Sequence, residues 1–518
     1  MSDAFITLIV LGATVLVFIL DVAPVMLVAL CVPVALWATG VLDITEAFAS
    51  FGDPTVIFIA ALFVVSEALD ATGVTAWVGD QALRLAGQTQ TRLLVVILVL
   101  VALLTAVITP NGSVAALTPV VVMMAIRARR SPSELLMPLA FGAHAGSMLL
   151  LTGSPVNLVI ADYAEQAGVG PFGLFAFTAL GVALVLGTIV VVVLLGPRLI
   201  PKRTSTRSLR DLGGQAAVLT AHYDMAADVE LNRASGVLEA VIPPRSEFIG
   251  DLAYPGMRTE SGRLVVVAVQ HKGLVEHEAH RLHAGDTLLL QGTWRDLETA
   301  ATDPNILVVD DPGQVRRQAV KLGPGAKRVL AILAVMVVLL ATGIVPAAIA
   351  GLLAAMAIIA TRVLSVQQAY HGIGWTTVIL VGGLMPLSTA MVKSGAAAQL
   401  ADGLVDLIGD AGPYALLAGL FVVTAMMGQL ISNMATAFIV VPIGLAAAAQ
   451  MGVSPAPVLM AVAVFAAAAL LTPVATPANL VVMEAAGYKF GDYWRLGLPL
   501  LAIYALVGIV LVPLIWPF

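Results

Sequence analysis

A series of long apolar runs constrains this chain more than any other feature of its sequence. Crossing a bilayer takes about 20 apolar residues in a helix, and runs near this length recur through 1–200 and again through 327–518. Only 11% of the residues are charged, against about 25% in a typical soluble domain. The sequence therefore predicts an α-helical polytopic membrane protein.

Residues 201–326 interrupt the apolar pattern, because charged residues concentrate there. Within about 233–310, short β-like runs are separated by turn residues. The runs read GVLEAVI, RLVVVAVQ, DTLLLQG and NILVVD, and WRDLETAA fits one helix. The sequence thus predicts a linker and a small α+β domain, inserted between a first membrane part, 1–200, and a second one, 327–518.

The two membrane parts are related by one ungapped register of 322 residues. TVIFIAALFVV begins at Thr55, and the similar TVILVGGLMPL begins at Thr377. Polar landmarks keep the same spacing, in the pairs Asn111 and Asn433, and Asn157 and Asn479. Chance similarity between apolar helices would not align polar residues, so the register predicts two structural repeats.

Positive residues orient the apolar runs, since cytoplasmic loops carry an excess of Lys and Arg. Arg92 and Arg130 flank 91–127 and both belong inside, so this stretch is predicted to be a re-entrant hairpin with its tip at 109–113. The same count places a second hairpin, 413–449, on the outer side with its tip at 432–436. We expect two inverted repeats of five transmembrane helices plus one hairpin each, in the cell inner membrane. The inserted domain is then cytoplasmic and both termini are extracytoplasmic.

A second break is predicted in each half, where Thr, Gly, Ser and Pro interrupt the apolar runs at 149–160 and 470–482. Non-helical backbone at membrane depth is tolerated only where it is buried in protein or lines a cavity. Inverted repeats with broken helices are typical of secondary transporters, in which helix N-termini face an anion and unwound carbonyls coordinate a cation. A purely structural kink is the competing interpretation of each break.

These motifs resemble the divalent anion:sodium symporter family, the carriers of dicarboxylates, citrate and sulfate. The resemblance rests on the tip Ser432-Asn433-Met434-Ala435-Thr436, on SPVN at 154–157, on TPAN at 476–479, and on GYKFGDYWRLGLPL near the end. It implies alternating-access import of a small divalent anion, coupled to Na⁺, without an organic cofactor. Two departures stand out: the first tip reads PNGS at 110–113, and Met434 stands where the family has threonine.

The resemblance also implies the site residues. Substrate contacts are expected from Asn111, Gly112, Ser113, Ser154, Ser432, Asn433, Met434, Thr476 and Pro477. A first sodium site is expected at Asn111, Ser113, Thr152, Gly153 and Ser154, and a second at Ser432, Asn433, Thr436, Thr472, Ala475 and Thr476. Sulfate is slightly favoured over a dicarboxylate, because Met434 removes a hydroxyl expected for carboxylates.

The inserted domain resembles the C-terminal subdomain of regulators of potassium conductance. LEAVIPPRSEFIGDL (238–252) and HAGDTLLLQGTWRDLETAA (283–301) carry this resemblance. It implies a homodimer and a small-molecule ligand on 233–310. The insert also holds the histidines His222, His271, His277, His280 and His283. We interpret them as a solvated loop rather than a zinc site, since there is no cysteine in the insert and no clear helical His pair.

Several alternatives stay open at the level of sequence. A proton-coupled carrier would use His144, Glu67 or Asp70 as relays, although a satisfied packing role is favoured for His144. Lys393 is read as a surface lysine. An ion channel gated by the insert is a further alternative, against which no selectivity-filter sequence is found. An enzyme is not expected, because no Walker loop, nucleophile elbow or HExxH is present, and nothing suggests a nucleic-acid partner.

Overall fold

The computed structural model describes most of the chain. The residues that it does not describe are 1, 21, 76, 79–80, 82–88, 129, 204–234, 260–261, 272–273, 277, 309–322, 324 and 474. The chain forms two compact units. The first comprises Met1–Leu69, Val78–Arg207 and Lys327–Phe518, and the second comprises Asp70–Trp77 and Ser208–Ala326. The sequence did not predict that 70–77 would group with the insert.

Helices dominate the residues before the insert. They are α1 (Asp3–Leu20), α2 (Val25–Ala38), α3 (Ile44–Phe48), α4 (Pro54–Ala71), α5 (Gln90–Val107), α6 (Pro110–Arg127), α7 (Ser133–Gly146), α8 (Pro155–Gln166) and α9 (Thr178–Leu199). The inserted region holds β1 (Ser235–Val241), β2 (Leu252–Ala253), β3 (Val265–His271), β4 (Leu274–Glu276), β5 (His280–Arg281), β6 (Thr287–Thr293), α10 (Trp294–Ala300) and β7 (Leu307–Val308).

Helices also dominate the residues after the insert. They are α11 (Ala326–Thr342), α12 (Ala347–Ala360), α13 (Val366–Gly372), α14 (Trp375–Lys393), α15 (Ala396–Ile408), α16 (Pro413–Gly428), α17 (Asn433–Met451), α18 (Pro455–Ala466), α19 (Pro477–Ala486), α20 (Tyr493–Leu506) and α21 (Val512–Ile515). The segment Val507–Leu511 between the last two is π-helical.

Seven helices within the described residues are long and apolar enough to cross a membrane, or eight if the bent pair α15 and α16 counts as one span. Shorter apolar helices, such as α2, α12 and α18, accompany them. The predicted class, a helical multi-pass membrane protein with a small sheet-containing insert, is confirmed. Five crossings per half, re-entrant hairpins and inverted orientation remain predictions.

Two helices of the second half were missed by the search for apolar runs. In α15, Gln399, Asp402 and Asp406 alternate with apolar residues, so the helix is amphipathic rather than continuously apolar. The short α13 begins at a capping box between Ser365 and Gln368. Both helices carry polar residues on one side, which a search for membrane spans passes over.

The insert is built on a five-stranded antiparallel sheet with the strand order β4-β3-β6-β1-β7, and β2 pairs separately with β5. Leu238, Val269 and Leu297 are among the residues that form its buried core. Gly236 is required in β1, since a Cβ there would overlap the indole ring of Trp294. The four predicted runs correspond to β1, β3, β6 and β7, and the predicted helix is α10.

The interpretation of the insert histidines as a solvated loop is wrong for His271 and His280, which are half-buried in β3 and β5, whereas His283 lies on an exposed turn. His271, His280 and His283 lie around the buried carboxylate of Asp286. Their wide spacing along the chain hid this arrangement, because strand pairing brings them together. His222 and His277 lie outside the described residues.

Candidate functional site

Each half contains the predicted second break. In the first half, α7 ends at Gly146 and α8 begins at Pro155, with one 3-10 turn between them at Leu151–Gly153. In the second half, α18 ends at Ala466 and α19 begins at Pro477. Proline suits the first position of a helix, where its missing N–H would be unpaired anyway. The sequence prediction of interrupted helices at these places is confirmed.

An asparagine closes each break by the same pair of hydrogen bonds. The side-chain amide of Asn157 donates to the carbonyls of Ser147 at 2.8 Å and Leu150 at 3.1 Å. The amide of Asn479 donates to the carbonyls of Ala469 at 2.9 Å and Thr472 at 3.0 Å. The asparagine and the two carbonyl residues of the first break each lie 322 positions before their counterparts in the second. The unwound backbone therefore has the same internal support in both halves.

The two breaks differ in the contacts of the asparagine side-chain oxygen. His144 Nε2 lies 3.2 Å from Asn479 Oδ1 and 3.3 Å from Thr476 Oγ1, and all three residues are buried. Ala466 occupies the position that corresponds to His144 in the other half. His144 is therefore a hydrogen-bonded part of the second break, as its packing interpretation predicts.

Threonine hydroxyls bond each break to the predicted hairpin of its own half. Thr152 Oγ1 donates to the Ala106 carbonyl at 2.9 Å, near the end of α5, and Thr472 Oγ1 donates to the Gln429 carbonyl at 2.9 Å, just after α16. The Gln429 side chain adds two bonds, donating to Ala468 O at 2.9 Å and accepting from Leu471 N at 2.8 Å. Sequence reasoning missed Gln429, whose only signal is a buried amide at the end of an apolar helix.

In each predicted hairpin the helix breaks just before the predicted tip, and the tip residues after Thr109 and Ser432 form the first turns of α6 and α17. The helix breaks between α5 and α6 at 108–109 and between α16 and α17 at 429–432. Asn111 lies in the first turn of α6, and its Oδ1 accepts a hydrogen bond of 3.2 Å from Ala478 N at the start of α19. Helix α17 packs against α8. The second helix of each hairpin thus contacts the broken helix of the other half.

Buried oxygen atoms without a donor mark both tips and one break. Ser113 Oγ, Asn157 Oδ1 and Asn433 Oδ1 have no hydrogen-bond partner within the part of the chain that the structure describes. Because both amide hydrogens of Asn157 are used on carbonyls, its oxygen must face the other way. Leaving a buried polar atom unpaired costs about 1–3 kcal/mol. Thr105 Oγ1, on α5, is a further such atom that sequence reasoning missed.

The remaining predicted residues of the first half are built into the backbone geometry. Ser154 caps α8 by accepting from Val156 N at 3.2 Å. A Cβ at Gly153 would overlap the Ser147 carbonyl, so only glycine fits this turn. A Cβ at Gly112 would approach Ile108 to 2.9 Å.

Three of the predicted residues of the second half form hydrogen bonds with backbone groups close to them in sequence. Ser432 caps α17 by accepting from Ala435 N at 3.2 Å. Thr436 Oγ1 donates to the Ser432 carbonyl at 3.1 Å within the same helix, and Thr476 caps α19 by accepting from Asn479 N at 3.3 Å. Met434 and Ala475 are buried, and Pro477 is the first residue of α19.

Lys393 lies away from these residues, in an exposed ion pair. Its Nζ is 2.7 Å from Glu46 Oε1, with side-chain exposures of 52% and 33%. Surface pairs of this kind contribute only about 0–1 kcal/mol. The structure thus agrees with the interpretation of Lys393 as a surface lysine.

Four helices, α6, α8, α17 and α19, begin beside unwound backbone. A helix N-terminus carries partial positive charge on its unpaired N–H groups and favours anions, while free carbonyls favour cations. The predicted site residues include no Lys or Arg. A multi-pass helical protein whose helices break in pairs, with buried oxygens beside the breaks, has the characteristics of a membrane transporter.

Comparison with known proteins agrees with this class. The family model described as "CitMHS: Citrate transporter" matches residues 15–452 and 415–518. The chain therefore belongs to the CitMHS family of transporters, and the resemblance to divalent anion carriers is confirmed at the level of the family. The family and the relatives found are transporters rather than enzymes.

The chain is similar to several individual proteins. The Escherichia coli (strain K12) protein named "Uncharacterized transporter YfbS" is 32% identical over 583 aligned residues, covering 95% of each chain. "Sodium/sulfate cotransporter 2" of Chlamydomonas reinhardtii is 27% identical over 177 residues, which are 31% of this chain and 20% of the relative. The crystal structure of the Alcanivorax borkumensis YdaH transporter covers 97% of this chain and 99% of its own, with a TM-score of 0.51 and 14% identity. That likeness concerns the fold alone.

Proposed function

We propose that this chain is a sodium-coupled secondary transporter that imports a small divalent anion by alternating access. Sulfate is favoured slightly over a dicarboxylate. The observation that carries the proposal is the set of buried, unpaired oxygens Ser113 Oγ, Asn157 Oδ1 and Asn433 Oδ1 within the described residues. Oxygen acceptors that lack donors are suited to a hard cation, which would remove the cost of burying them.

The anion would bind at helix N-termini rather than at basic side chains. Asn111 joins the start of α6 to the start of α19, so the two helix N-termini lie side by side, and the partial positive charge of both would favour an oxyanion there. Because no Lys or Arg is among the site residues, the bound Na⁺ would supply much of the attraction. Anion affinity should therefore depend steeply on sodium.

The choice of anion rests on two observations. Met434 places a buried thioether at the second tip, where the family resemblance leads us to expect a threonine hydroxyl that would contact a carboxylate. Relatives named sodium/sulfate cotransporters match about a third of this chain. The family description, citrate transporter, makes a dicarboxylate or related acid the second choice.

The test is uptake by proteoliposomes that contain the purified protein. Labelled sulfate and labelled succinate are compared with an inward sodium gradient, with equal potassium, and with an inward proton gradient at equal sodium. We expect saturable sulfate uptake that collapses without sodium. Full-rate uptake in potassium alone would overturn sodium coupling, and uptake of succinate but not sulfate would overturn the choice of anion.

A proton-coupled carrier is the second candidate, and it rests on one contact. His144 bridges Asn479 and Thr476 at the second break, where a change in ring protonation would alter two hydrogen bonds at once. Uptake driven by a proton gradient at equal sodium would favour this candidate. The same vesicles therefore decide between the two coupling ions.

Location and assembly belong to the proposal as well. We place the protein in the cell inner membrane, with 201–326 in the cytoplasm and both termini outside it, on the positive-inside argument. The insert core, about 233–310, is proposed to pair two chains as a homodimer and to bind a regulatory small molecule. Crosslinking of the intact protein in membranes tests the dimer, and labelling of single cysteines introduced at each terminus tests the orientation.

A further inference from the structure

A cluster of three histidines and one aspartate lies in the inserted unit, and the transport proposal does not use it. His271 ends β3, His280 begins β5, and His283 and Asp286 lie on the turn that leads into β6. His271 Nδ1 is 2.6 Å from Asp286 Oδ1, His280 Nε2 is 3.0 Å from Oδ2, and His283 Nδ1 is 3.8 Å from Oδ2. These ligand atoms all lie within 4.8 Å of one another.

The backbone holds these side chains in place. Gln270 pairs with Thr287 in the β3–β6 ladder, which places His271 beside Asp286. Gly285, at φ +90°, allows the turn, and the turn is fixed to the end of β1 by Gly285 N to Ile242 O at 2.9 Å and Ile242 N to Asp286 O at 2.8 Å. Four side chains with possible metal-ligand atoms, from three chain segments, are therefore held close together by the backbone.

Burial and charge also fit a cation. The Asp286 side chain is only 2% exposed, whereas the side chains of His271 and His280 are 24% and 17% exposed. Burial opposes ionisation of Asp286, but the His283 amide and the rings of His271 and His280 outweigh it and lower the pKa of this carboxyl. The carboxylate is thus ionised near neutral pH, as a metal ligand must be.

We propose that His271, His280, His283 and Asp286 form a binding site for a divalent transition metal of the zinc class. Three imidazoles and one carboxylate suit Zn²⁺, whereas Mg²⁺ and Ca²⁺ prefer sites made of oxygen. In a tetrahedral zinc site with bonds of about 2.0–2.1 Å, ligand atoms lie roughly 3.3 Å apart. The observed separations, from 2.6 Å up to 4.8 Å, bracket this value, so the ligand atoms that lie farthest apart would have to approach each other by about 1.5 Å to complete the shell.

The site would connect segments that are distant in sequence. A metal ion would join the end of β3, the start of β5 and the turn before β6. It would stabilise the insert by an amount that grows with the logarithm of its concentration over its dissociation constant. His283, with a side chain 60% exposed, leaves an entry path from solvent. The competing interpretation is that the rings only hydrogen-bond the buried carboxylate, and the two interpretations differ in measured zinc content.

The experiment uses the full chain, purified in detergent with an affinity tag that lacks histidine. The protein is stripped with a chelator, reloaded with Zn²⁺ and dialysed; zinc per chain is measured by mass spectrometry and affinity by competition with a chromogenic chelator. The key variant is His283→Ala, because truncation of this exposed ring puts folding at least risk. His371→Ala is the matched control, since that exposed histidine of α13 contacts its own helix, through a hydrogen bond with Gln367 O and an edge-on contact with the Tyr370 ring.

We expect about one zinc per wild-type chain, with a similar value for His371→Ala. Loss of an outer-shell partner alone costs about 10–100-fold in metal affinity, so His283→Ala and Asp286→Asn should weaken zinc binding at least about 10-fold. Tetrahedral Co²⁺ absorption in the wild type, lost in both variants, would identify these ligands directly. Zinc content and affinity that are the same in wild type, His283→Ala and Asp286→Asn would overturn the proposal, as would a wild-type chain that retains no zinc.

Discussion

Asn111 Oδ1 accepts a hydrogen bond of 3.2 Å from the backbone amide of Ala478, which joins two residues that are 367 positions apart in the chain. One belongs to the hairpin tip of the first half, and the other to the broken helix of the second half. The contact matters because it satisfies one of the N–H groups that a helix N-terminus leaves unpaired. This bond must break if α6 moves away from α19, and it is kept only if the starts of the two helices move together.

The first prediction concerns that bond. Asn111→Ala removes the acceptor, and a hydrogen bond of this kind contributes about 0.5–1.5 kcal/mol, so initial uptake should fall roughly 3–10-fold. Asn111→Gln keeps a neutral amide oxygen that can accept from Ala478 N and should retain more activity than the alanine variant. Initial rates of labelled-anion uptake in proteoliposomes provide the measurement. Wild-type rates in Asn111→Ala would contradict a role for this contact.

A second prediction separates the unpaired hydroxyl of Ser113 from a satisfied one on the same helix. Ser113→Ala should raise the sodium concentration for half-maximal uptake about 10-fold, which corresponds to a loss of about 1.4 kcal/mol of binding energy. The free energy of unfolding should not decrease, because Ser113 Oγ gives up no hydrogen bond within the described residues.

Thr118→Val is the control for Ser113→Ala. The Thr118 hydroxyl donates to Val114 O at 2.7 Å inside α6, so its removal should leave the sodium dependence unchanged. Sodium titrations of uptake, run on both variants at one anion concentration, give the comparison. An equal shift in both variants would mean that the effect comes from the helix rather than from a sodium ligand.

Much of the site could be predicted because its polar residues repeat at a fixed interval. Asn157 and Asn479 stand out as polar residues in apolar runs, and each does close a break in the structure. Proline and small hydroxyl residues also interrupt helices for local reasons, so the breaks at 147–154 and 467–476 were within reach of the sequence. The sequence therefore predicts well where the backbone leaves the helical conformation.

Contacts between distant segments were not accessible in this way. Nothing near Gln429 indicates that its amide would bond to Ala468 and Leu471, because that contact depends on how α16 packs beside the second break. His271 and Asp286 likewise meet only through the register of β3 with β6. The spacing of the histidines matches no helical or short metal-binding pattern, so the sequence favoured the wrong interpretation of His271 and His280.

A third prediction concerns His144, which meets Asn479 in the second break. His144→Ala leaves Asn479 Oδ1 without this partner and should lower the free energy of unfolding by about 1–3 kcal/mol. His144→Gln retains an amide that can donate to Asn479, so it should unfold closer to the wild type and keep sodium-dependent uptake. Thermal unfolding in detergent and uptake with and without a proton gradient are the two measurements. If a proton gradient at equal sodium drives uptake in the wild type, and His144→Gln folds normally but loses that response, proton coupling replaces sodium coupling.

The last prediction concerns two glycines that lie against the unwound backbone. A Cβ at Gly181 of α9 would overlap the carbonyl of Met148, and a Cβ at Gly497 of α20 would overlap the carbonyl of Leu470. Met148 and Leu470 occupy equivalent places in the two breaks, 322 residues apart. Each break is therefore packed directly against a helix that tolerates no side chain at this point.

Gly181→Ala and Gly497→Ala should each destabilise the protein by at least about 1–3 kcal/mol, the usual cost of overpacking, because backbone atoms cannot swing aside as a side chain does. Gly12→Ala in α1 is the control, since a Cβ at Gly12 has no heavy atom within 4 Å among the described residues and alanine favours a helix over glycine by about 1 kcal/mol. Thermal unfolding of the detergent-solubilised protein is monitored by size-exclusion chromatography. The unfolding midpoint should fall for Gly181→Ala and Gly497→Ala, and it should stay the same or rise for Gly12→Ala. Unchanged midpoints for Gly181→Ala and Gly497→Ala would show that the breaks can move away from these helices, and the close packing described for them would then be wrong.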